Sequence, residues 1–241
     1  MKILIIRHGD PDYEHDSLTQ TGIREAEILS QKLKNKKLDA IYVSPFGRAR
    51  LTAKPTLEKL NREEVICEWL REFSYPITLN DGSEKGLPWD FLPADWTADE
   101  DNLDYRKWLE TDVMKSGAIK ERVEHVTTEF DKLLAKHGYE RDGYLYHAVK
   151  PNTDTIVFFC HFGLECVLLG HLLNMPVMPL WHGTVALPTS VTTLCTEERE
   201  EGKAYFRMSN FGDVSHLTAA GEEPSFSARF CEVYSDFSQR H

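Results

Sequence analysis

The sequence predicts an α/β fold, a three-layer sandwich in which a mostly parallel sheet is flanked by helices. Residues 3–6, Ile-Leu-Ile-Ile, form an unbroken apolar run, which suits a strand buried on both faces. Strand-like and helix-like stretches then alternate through residue 60, the order of parallel strands joined by crossover helices. A second run, Thr155-Ile-Val-Phe-Phe-Cys160, supplies the clearest interior strand after the first.

Composition bounds the class. The chain has 241 residues, 41% hydrophobic and 28% charged, ordinary for a globular protein with a substantial core. By length it could form one large α/β domain or two small ones, and a single domain over 1–241, with residues 73–116 as an inserted cap, is expected. Nothing approaches the roughly 18 consecutive apolar residues of a membrane span. The chain enters its first strand at once, leaving no room for a signal peptide, and the expected location is cytoplasmic. The five cysteines (67, 160, 166, 195 and 231) are odd in number and scattered, which predicts reduced thiols rather than disulfides or a zinc site. A net charge of −11 argues against nucleic acid and anionic membranes as partners. An anionic substrate would need a locally basic site inside this acidic protein.

Residues 19–37 carry a helical pattern. Thr19 or Thr21 can cap it, Glu25 falls in its early turns, and Ile23, Ala26, Leu29 and Leu33 recur at three- and four-residue spacing. Lysines gather at its end, where cations suit the helix dipole. Residues 38–43 predict a second strand ending at Ser44-Pro45, and residues 47–60 a second helix with Arg48 near its start. Residues 65–69 predict a third strand delivering Leu70-Arg71-Glu72. From 73 to 97 periodicity is lost among Pro76, Pro88, Pro93, Gly82 and Gly86, while Phe73, Tyr75, Trp89, Phe91 and Trp96 favour a packed flap over a linker. Residues 98–114 look helical, and their acidic start (Asp99, Glu100, Asp101, Asp104) is most simply a solvated face. Residues 118–137 predict a long helix with Val123, Val126, Phe130, Leu133 and Leu134 on one side. An apolar helix at 164–173 follows the strand at 155–160, and residues 191–196 and 204–208 pair around an acidic turn. The weakly patterned C-terminal end predicts a loose tail.

Charged residues collect at strand ends. Arg7 and His8 follow the first strand, Arg48 the second, Glu72 the third and His161 a later one. Open α/β sheets bind ligands at the C-terminal ends of their strands. If these strands are parallel neighbours, two arginines and two histidines share one edge, making a pocket for a dianion with a carboxyl at its rim. Gly9 permits a tight turn, and Gly163 opens a helix whose amides can add donors to a phosphoryl oxygen.

Five motifs occur in order: Arg7-His8-Gly9; Leu18-Thr19 with Gly22; Ser44-Pro45-Phe46-Gly47-Arg48-Ala49 with Thr52-Ala53; Leu70-Arg71-Glu72; and His161-Phe162-Gly163. With them the chain resembles the histidine phosphatase superfamily, of phosphoglycerate-mutase-like fold. One Arg-His-Gly is weak on its own, but five matches in register are strong. The resemblance implies a phosphorylated small-molecule substrate and no metal or other cofactor. His8 would attack phosphorus in neutral form and become phosphohistidine, its other ring nitrogen held as a donor by a backbone carbonyl. Arg7, Arg48 and His161 would hold the equatorial oxygens. Glu72 would protonate the leaving alkoxide and later take a proton from water.

The chain departs from the family pattern near the substrate. Glu14 stands where many members carry Asn, and Asp10, Pro11 and Asp12 replace a Glu-Thr pattern. Little positive charge follows Glu72 before Lys85, and the acidic stretch 10–16 would repel a second anionic group. This favours a phosphatase over a phosphoglycerate mutase. A non-catalytic phosphate-binding module is the remaining rival, against which all four central groups speak. A metal cluster of His8, His15, Asp10, Asp12 and Asp16 matches no ligand spacing. Cys160 lacks the arginine of a cysteine phosphatase, since Cys166 stands there, and packs as core instead. Arg50 competes with Arg48 and Glu68 with Glu72. His147, His171 and His182 carry no pattern, Phe162 reads either as a pocket wall or as packing, and Trp89, Trp96 and Trp181 default to core.

Overall fold

The computed structural model describes residues 1–225 and 233–236. The first strand, β1 (Lys2–Arg7), leads through a small hairpin, β2 (Pro11–Asp12) and β3 (Ser17–Leu18), into α1 (Gln20–Leu33). Next come β4 (Ala40–Val43), α2 (Gly47–Leu60) and the edge strand β5 (Val65–Ile66). Short pieces follow: β6 (Ile77–Thr78), β7 (Glu84–Lys85), α3 (Pro93–Trp96) and α4 (Asp112–Ser116). The long helix α5 (Ile119–Lys136) then precedes β8 (Tyr139–Asp142), β9 (Leu145–Ala148) and β10 (Thr155–Cys160). The described chain closes with α6 (Phe162–Leu173), α7 (Val177–Gly183), β11 (Val191–Glu200), β12 (Lys203–Asp213) and α8 (Ser215–Ala220).

Eight strands form one mixed sheet in the order β5-β4-β10-β1-β11-β12-β9-β8. The half from β5 to β1 is parallel, and the half beyond it is antiparallel. The sheet divides the interior into two cores. Ile3 and Ile5 of β1 join a cluster with α5, α6 and α7, whereas Leu4 and Ile6 face Leu29, Leu33, Ala53 and Leu57 of α1 and α2. This is why the opening run has no polar alternation: both faces of β1 are covered. Ile3, Ile5 and Ile6 are fully buried, each contributing on the order of 2 kcal/mol by transfer from water.

Helix starts follow their caps. Thr19 caps α1, its side chain accepting from the Gly22 amide at 3.1 Å. Glu25, buried in that helix, accepts from the Asp10 amide at 2.8 Å and ties the turn after β1 to α1.

Three stretches differ from expectation for physical reasons. The third strand is only Val65–Ile66; Glu68–Leu70 tightens into a 3-10 turn that buries Leu70, so Glu72 follows a turn rather than a strand. Residues 98–114 form two 3-10 turns and α4 instead of one helix. Asp99 and Asp104 bond the amides of Asp101 and Arg106, a local pairing that competes with helix. The β8–β9 hairpin was not expected, although its two-residue turn opens on Gly143 at φ +56°, a conformation that suits a tight hairpin. In the 73–116 stretch, Phe73, Ile77, Leu79, Phe91, Trp108 and Met114 join the core on the α5–α7 side. Of the weakly patterned tail, 226–232 and 237–241 lie outside the described residues.

Candidate active site

Three adjacent parallel strands, β4, β10 and β1, set the site. Arg7 lies opposite Cys160 in the β1–β10 register. The next residue of each strand is a histidine, so His8 and His161 leave the sheet side by side. The His8 amide donates to the Cys160 carbonyl at 3.0 Å, and the two ring centroids are 5.2 Å apart. β4, on the other side of β10, turns into α2 and delivers Arg48 in its first turn. Arg7, His8, Arg48 and His161 are all buried.

The turn after β1 is held by backbone contact. The Gly9 amide donates to Thr52 Oγ1 at 2.9 Å. A Cβ on Gly9 would stand 2.8 Å from the Gly22 carbonyl oxygen, and one on Gly22 would stand 2.3 Å from that of Asp10. Neither position admits a side chain without moving α1, which accounts for both glycines.

The hydrogen bonds fix the His8 tautomer. Nδ1 lies 2.7 Å from the Gly9 carbonyl oxygen. A carbonyl only accepts, so Nδ1 carries the proton and Nε2 keeps its lone pair. Burial pushes the His8 pKa well below the ordinary imidazole value, and the charges of Arg7 and Arg48 push the same way. The ring is therefore neutral at neutral pH. Burial, then His8 and the two arginines, lower His161 likewise. His161 Nε2 sits 2.8 Å from Ser44 Oγ, and its Nδ1 has no hydrogen-bond partner among the described residues.

Each guanidinium is anchored. Arg7 Nη1 donates to the Ala186 carbonyl at 2.7 Å, and Arg48 Nη1 to Asp16 Oδ1 at 2.7 Å. The other Asp16 oxygen accepts from the Gly47 amide at 2.7 Å, at the start of α2. The Arg48 guanidinium lies 4.6 Å from the Phe46 ring centre and 5.4 Å from that of Tyr13. Tyr13 also bonds the Arg7 side chain, one of the effects opposing the downward push of burial on Arg7. The strand-end loop beyond α7 closes the back of the site: the Thr189 amide donates to the His8 carbonyl at 3.3 Å.

Glu72 stands at the rim, half-buried. Its Oε1 accepts from the amides of Phe73 at 2.8 Å and Leu164 at 3.1 Å. Burial raises its pKa above the ordinary carboxyl value, against the pull of those amides and of Arg7 and Arg48. A second carboxyl, Glu165, lies fully buried one turn into α6. Burial pushes it up to about 7, opposed by the Thr192 hydroxyl and the charge of Arg7.

The sequence pattern of the histidine phosphatase superfamily, branch 1, matches residues 3–208. The chain belongs to the histidine phosphatase superfamily. Among its relatives in the superfamily, an adenosylcobalamin/alpha-ribazole phosphatase of Salmonella typhi is 23% identical over 192 residues, 76% of this chain and 84% of the relative. A probable phosphatase of Schizosaccharomyces pombe is 24% identical over 232 residues, 90% of this chain and 95% of the relative. A phosphoserine phosphatase variant from Entamoeba histolytica, solved with phosphoserine, has a similar fold with TM-score 0.56 at 20% identity, over 90% of this chain and 98% of that one.

Arg7, His8, Arg48, His161 and Glu72 converge on one crevice. Gly163 takes the second position of α6, where its Cα faces Glu72 and the Trp89 indole, and the neighbouring Leu164 amide goes to Glu72. Arg50 turns away to an exposed pair with Glu64, and Glu68 pairs with Arg71 at the surface. His15 pairs with Asp12, and no three potential metal ligands cluster among the described residues. His171 bonds Asp131 and His182 the Met178 carbonyl, away from the crevice. Trp181 is buried with its Nε1 on the Gly163 carbonyl, and Trp96 stacks on His182, whereas Trp89 stands beside Glu72. Cys67, Cys160, Cys166 and Cys195 are free thiols, and Cys231 lies outside the described residues. Among the described residues no helix is long and apolar enough to cross a membrane.

Sequence reasoning missed Ser44, Asp16, Tyr13 and the Ala186 carbonyl. Ser44 lay inside a quoted motif without a role. Asp16 is weighed only as charge and as a metal ligand, and Tyr13 carries no reading at all. A backbone carbonyl leaves no mark in a sequence.

Proposed function

We propose that this protein is a metal-independent phosphomonoester hydrolase working through a phosphohistidine at His8. One observation carries the reading: Nδ1 of His8 is committed to the Gly9 carbonyl, leaving Nε2 as an unprotonated nucleophile in a crevice that holds Arg7, Arg48 and His161. The Nε2 lone pair attacks phosphorus as the bond to the leaving oxygen breaks. Glu72, whose pKa burial raises, gives that oxygen its proton. The two guanidiniums and the free Nδ1 of His161 hold the phosphoryl oxygens, and the first amides of α6, at Gly163, add to that field. Water then attacks phosphorus, Glu72 accepts its proton, the N–P bond breaks and phosphate leaves. Cationic side chains hold the oxygens, so no step calls on a metal. Residues 73–116 act as the cap over the leaving group.

A phosphoglycerate mutase of Schizosaccharomyces pombe is also similar to this chain, 24% identical over 149 residues, 56% of this chain and 67% of the relative. A mutase holds a second anionic group, and Asp16, bonded to Arg48, adds negative charge beside the crevice. Rapid quench with a phosphomonoester, chelator present, is expected to trap an acid-labile, base-stable phosphoenzyme that His8→Ala abolishes while remaining folded. Substantial turnover by His8→Ala would overturn the assignment. Isomerisation of phosphoglycerate outrunning phosphate release would replace it with the mutase.

A further inference from the structure

We infer that the crevice takes phosphate monoesters of uncharged aromatic alcohols, and discriminates against alcohols carrying a second anionic group. The inference rests on the hydrolase reading above and concerns only the leaving group. Three aromatic rings lie beside the groups that would handle the ester, and a fourth, Phe162, packs on one of them. Tyr13 lies 6.4 Å from the His8 ring, centre to centre, and 5.4 Å from the Arg48 guanidinium. Phe46 lies 5.3 Å from the His161 ring. Trp89 stands beside the Glu72 carboxyl, where its Nε1 would be 2.5 Å from a Cβ on Gly163, and it meets Phe162 edge-on at 6.0 Å. The leaving oxygen must reach Glu72, so the alcohol behind it must pass Trp89.

Burial at these rings is graded. Phe162 is buried, Phe46 and Trp89 are half-buried, and Tyr13 is 68% exposed. An exposed tyrosine ring over a phosphate site leaves apolar area open to water, and a flat leaving group would cover it. Hydrogen bonding anchors two of the rings. Tyr13 bonds the Arg7 side chain, and Trp89 Nε1 donates to the Phe73 carbonyl at 3.1 Å. Both can therefore present ring faces without spending their polar atoms on the ligand.

The charges beside the rings point the same way. Exposed carboxylates, Glu14 and Asp90, immediately follow Tyr13 and Trp89. Asp16 sits on Arg48 with its side chain 46% exposed. A cation beside these rings, Arg71, lies 5.2 Å from the Phe46 ring and bonds Glu68 at 2.6 Å. Arg7 and Arg48 match one phosphate dianion, and the mouth beyond them is aromatic and acidic. A carboxylate there would meet repulsion and an already paired arginine.

The test compares alkyl esters, so that leaving-group chemistry is similar: 2-phenylethyl phosphate against 3-phosphoglycerate and phosphoserine, using the full chain with chelator. The aromatic ester is expected to have kcat/KM at least about tenfold higher than either, the lower range for an apolar group read by an apolar pocket. Tyr13→Ser and Trp89→Leu should each cut that ratio severalfold, through KM for the aromatic ester. The ratio isolates recognition of the alcohol from general damage to catalysis. Equal or better turnover of 3-phosphoglycerate or phosphoserine, or ratios unmoved by both variants, would overturn the inference and leave the hydrolase intact. Failure to hydrolyse 2-phenylethyl phosphate would also overturn it. Phosphoenzyme trapping with p-nitrophenyl phosphate then decides whether the hydrolase assignment falls too.

Discussion

Gly163→Ala places a methyl group against the proposed acid. The added Cβ would stand 2.7 Å from Glu72 Oε1 and 2.5 Å from Trp89 Nε1, where ordinary contact begins near 3.4 Å. Glu72 or Trp89 must give way by about 0.7–0.9 Å. Neither moves freely, since Oε1 is held by two amides and Trp89 by the Phe73 carbonyl. A displacement of about 1 Å at a reacting group can cost on the order of 10²-fold. The damage should follow the need for an acid: an alkyl phosphate loses about 10²-fold in kcat, and p-nitrophenyl phosphate, whose leaving group needs little protonation, far less. Alanine favours helix over glycine by about 1 kcal/mol, which offsets part of the strain and keeps the variant folded. Steady-state kcat for both esters, with a melting curve, makes the measurement. Equal losses for both esters, or no loss, would refute the placement of Glu72 as the acid.

The same acid predicts a pH signature. Protonated Glu72 and neutral His8 are both required, so the rate with an alkyl ester rises as pH climbs through the lowered His8 pKa. It falls again as pH passes the raised pKa of Glu72. Glu72→Gln should lose about 10²–10⁴-fold with alkyl esters and shed the alkaline limb; a limb that persists belongs to another group. Glu165 concerns stability instead. Its carboxyl titrates at about 7 folded and about 4.3 unfolded, so the folded state binds the proton more tightly and stability declines as pH rises between those values. Glu165→Gln should therefore raise the unfolding free energy, read from urea titrations, more at pH 8 than at pH 5, by an amount on the order of 3 kcal/mol. A shift of the same size at both pH values would show that ionisation of this group is not the cause. Ser44→Ala should leave phosphoenzyme formation possible but slower, because His161 Nε2 loses its partner 2.8 Å away; unchanged quench kinetics would mean that Ser44 does not orient the ring.

What was legible in the chain followed from repeated patterns. Ile3 to Ile6 announced a strand covered on both faces because no polar residue interrupts it, and Val123, Val126, Phe130, Leu133 and Leu134 announced α5 by spacing. The convergence of Arg7, His8, Arg48 and His161 followed from where they fall, since each stands at or just past the end of a parallel strand. Glu72 was found by its motif, although the turn at Glu68–Leu70 that aims it was not. That turn depends on burying Leu70 under the α5 side, a tertiary contact without local signal. Asp99 and Asp104 defeated the expected helix because their side chains bond nearby amides, a competition that hydrophobic spacing does not register. Asp16 reads as charge or as a metal ligand and not as a partner of Arg48, because the two stand far apart in sequence and nothing local signals their contact.

The pleated ladder itself acts as a ruler. Neighbouring strands lie about 4.8 Å apart wherever their amides and carbonyls pair, and the two imidazoles, one from β1 and one from β10, inherit that pitch with centres 5.2 Å apart. Their gap is written in main-chain geometry rather than in any side chain. Swaps among the isoleucines and phenylalanines below can loosen the interior while the gap survives. A slip of one residue between those two strands would instead turn one ring to the opposite face and dismantle the pair at a stroke.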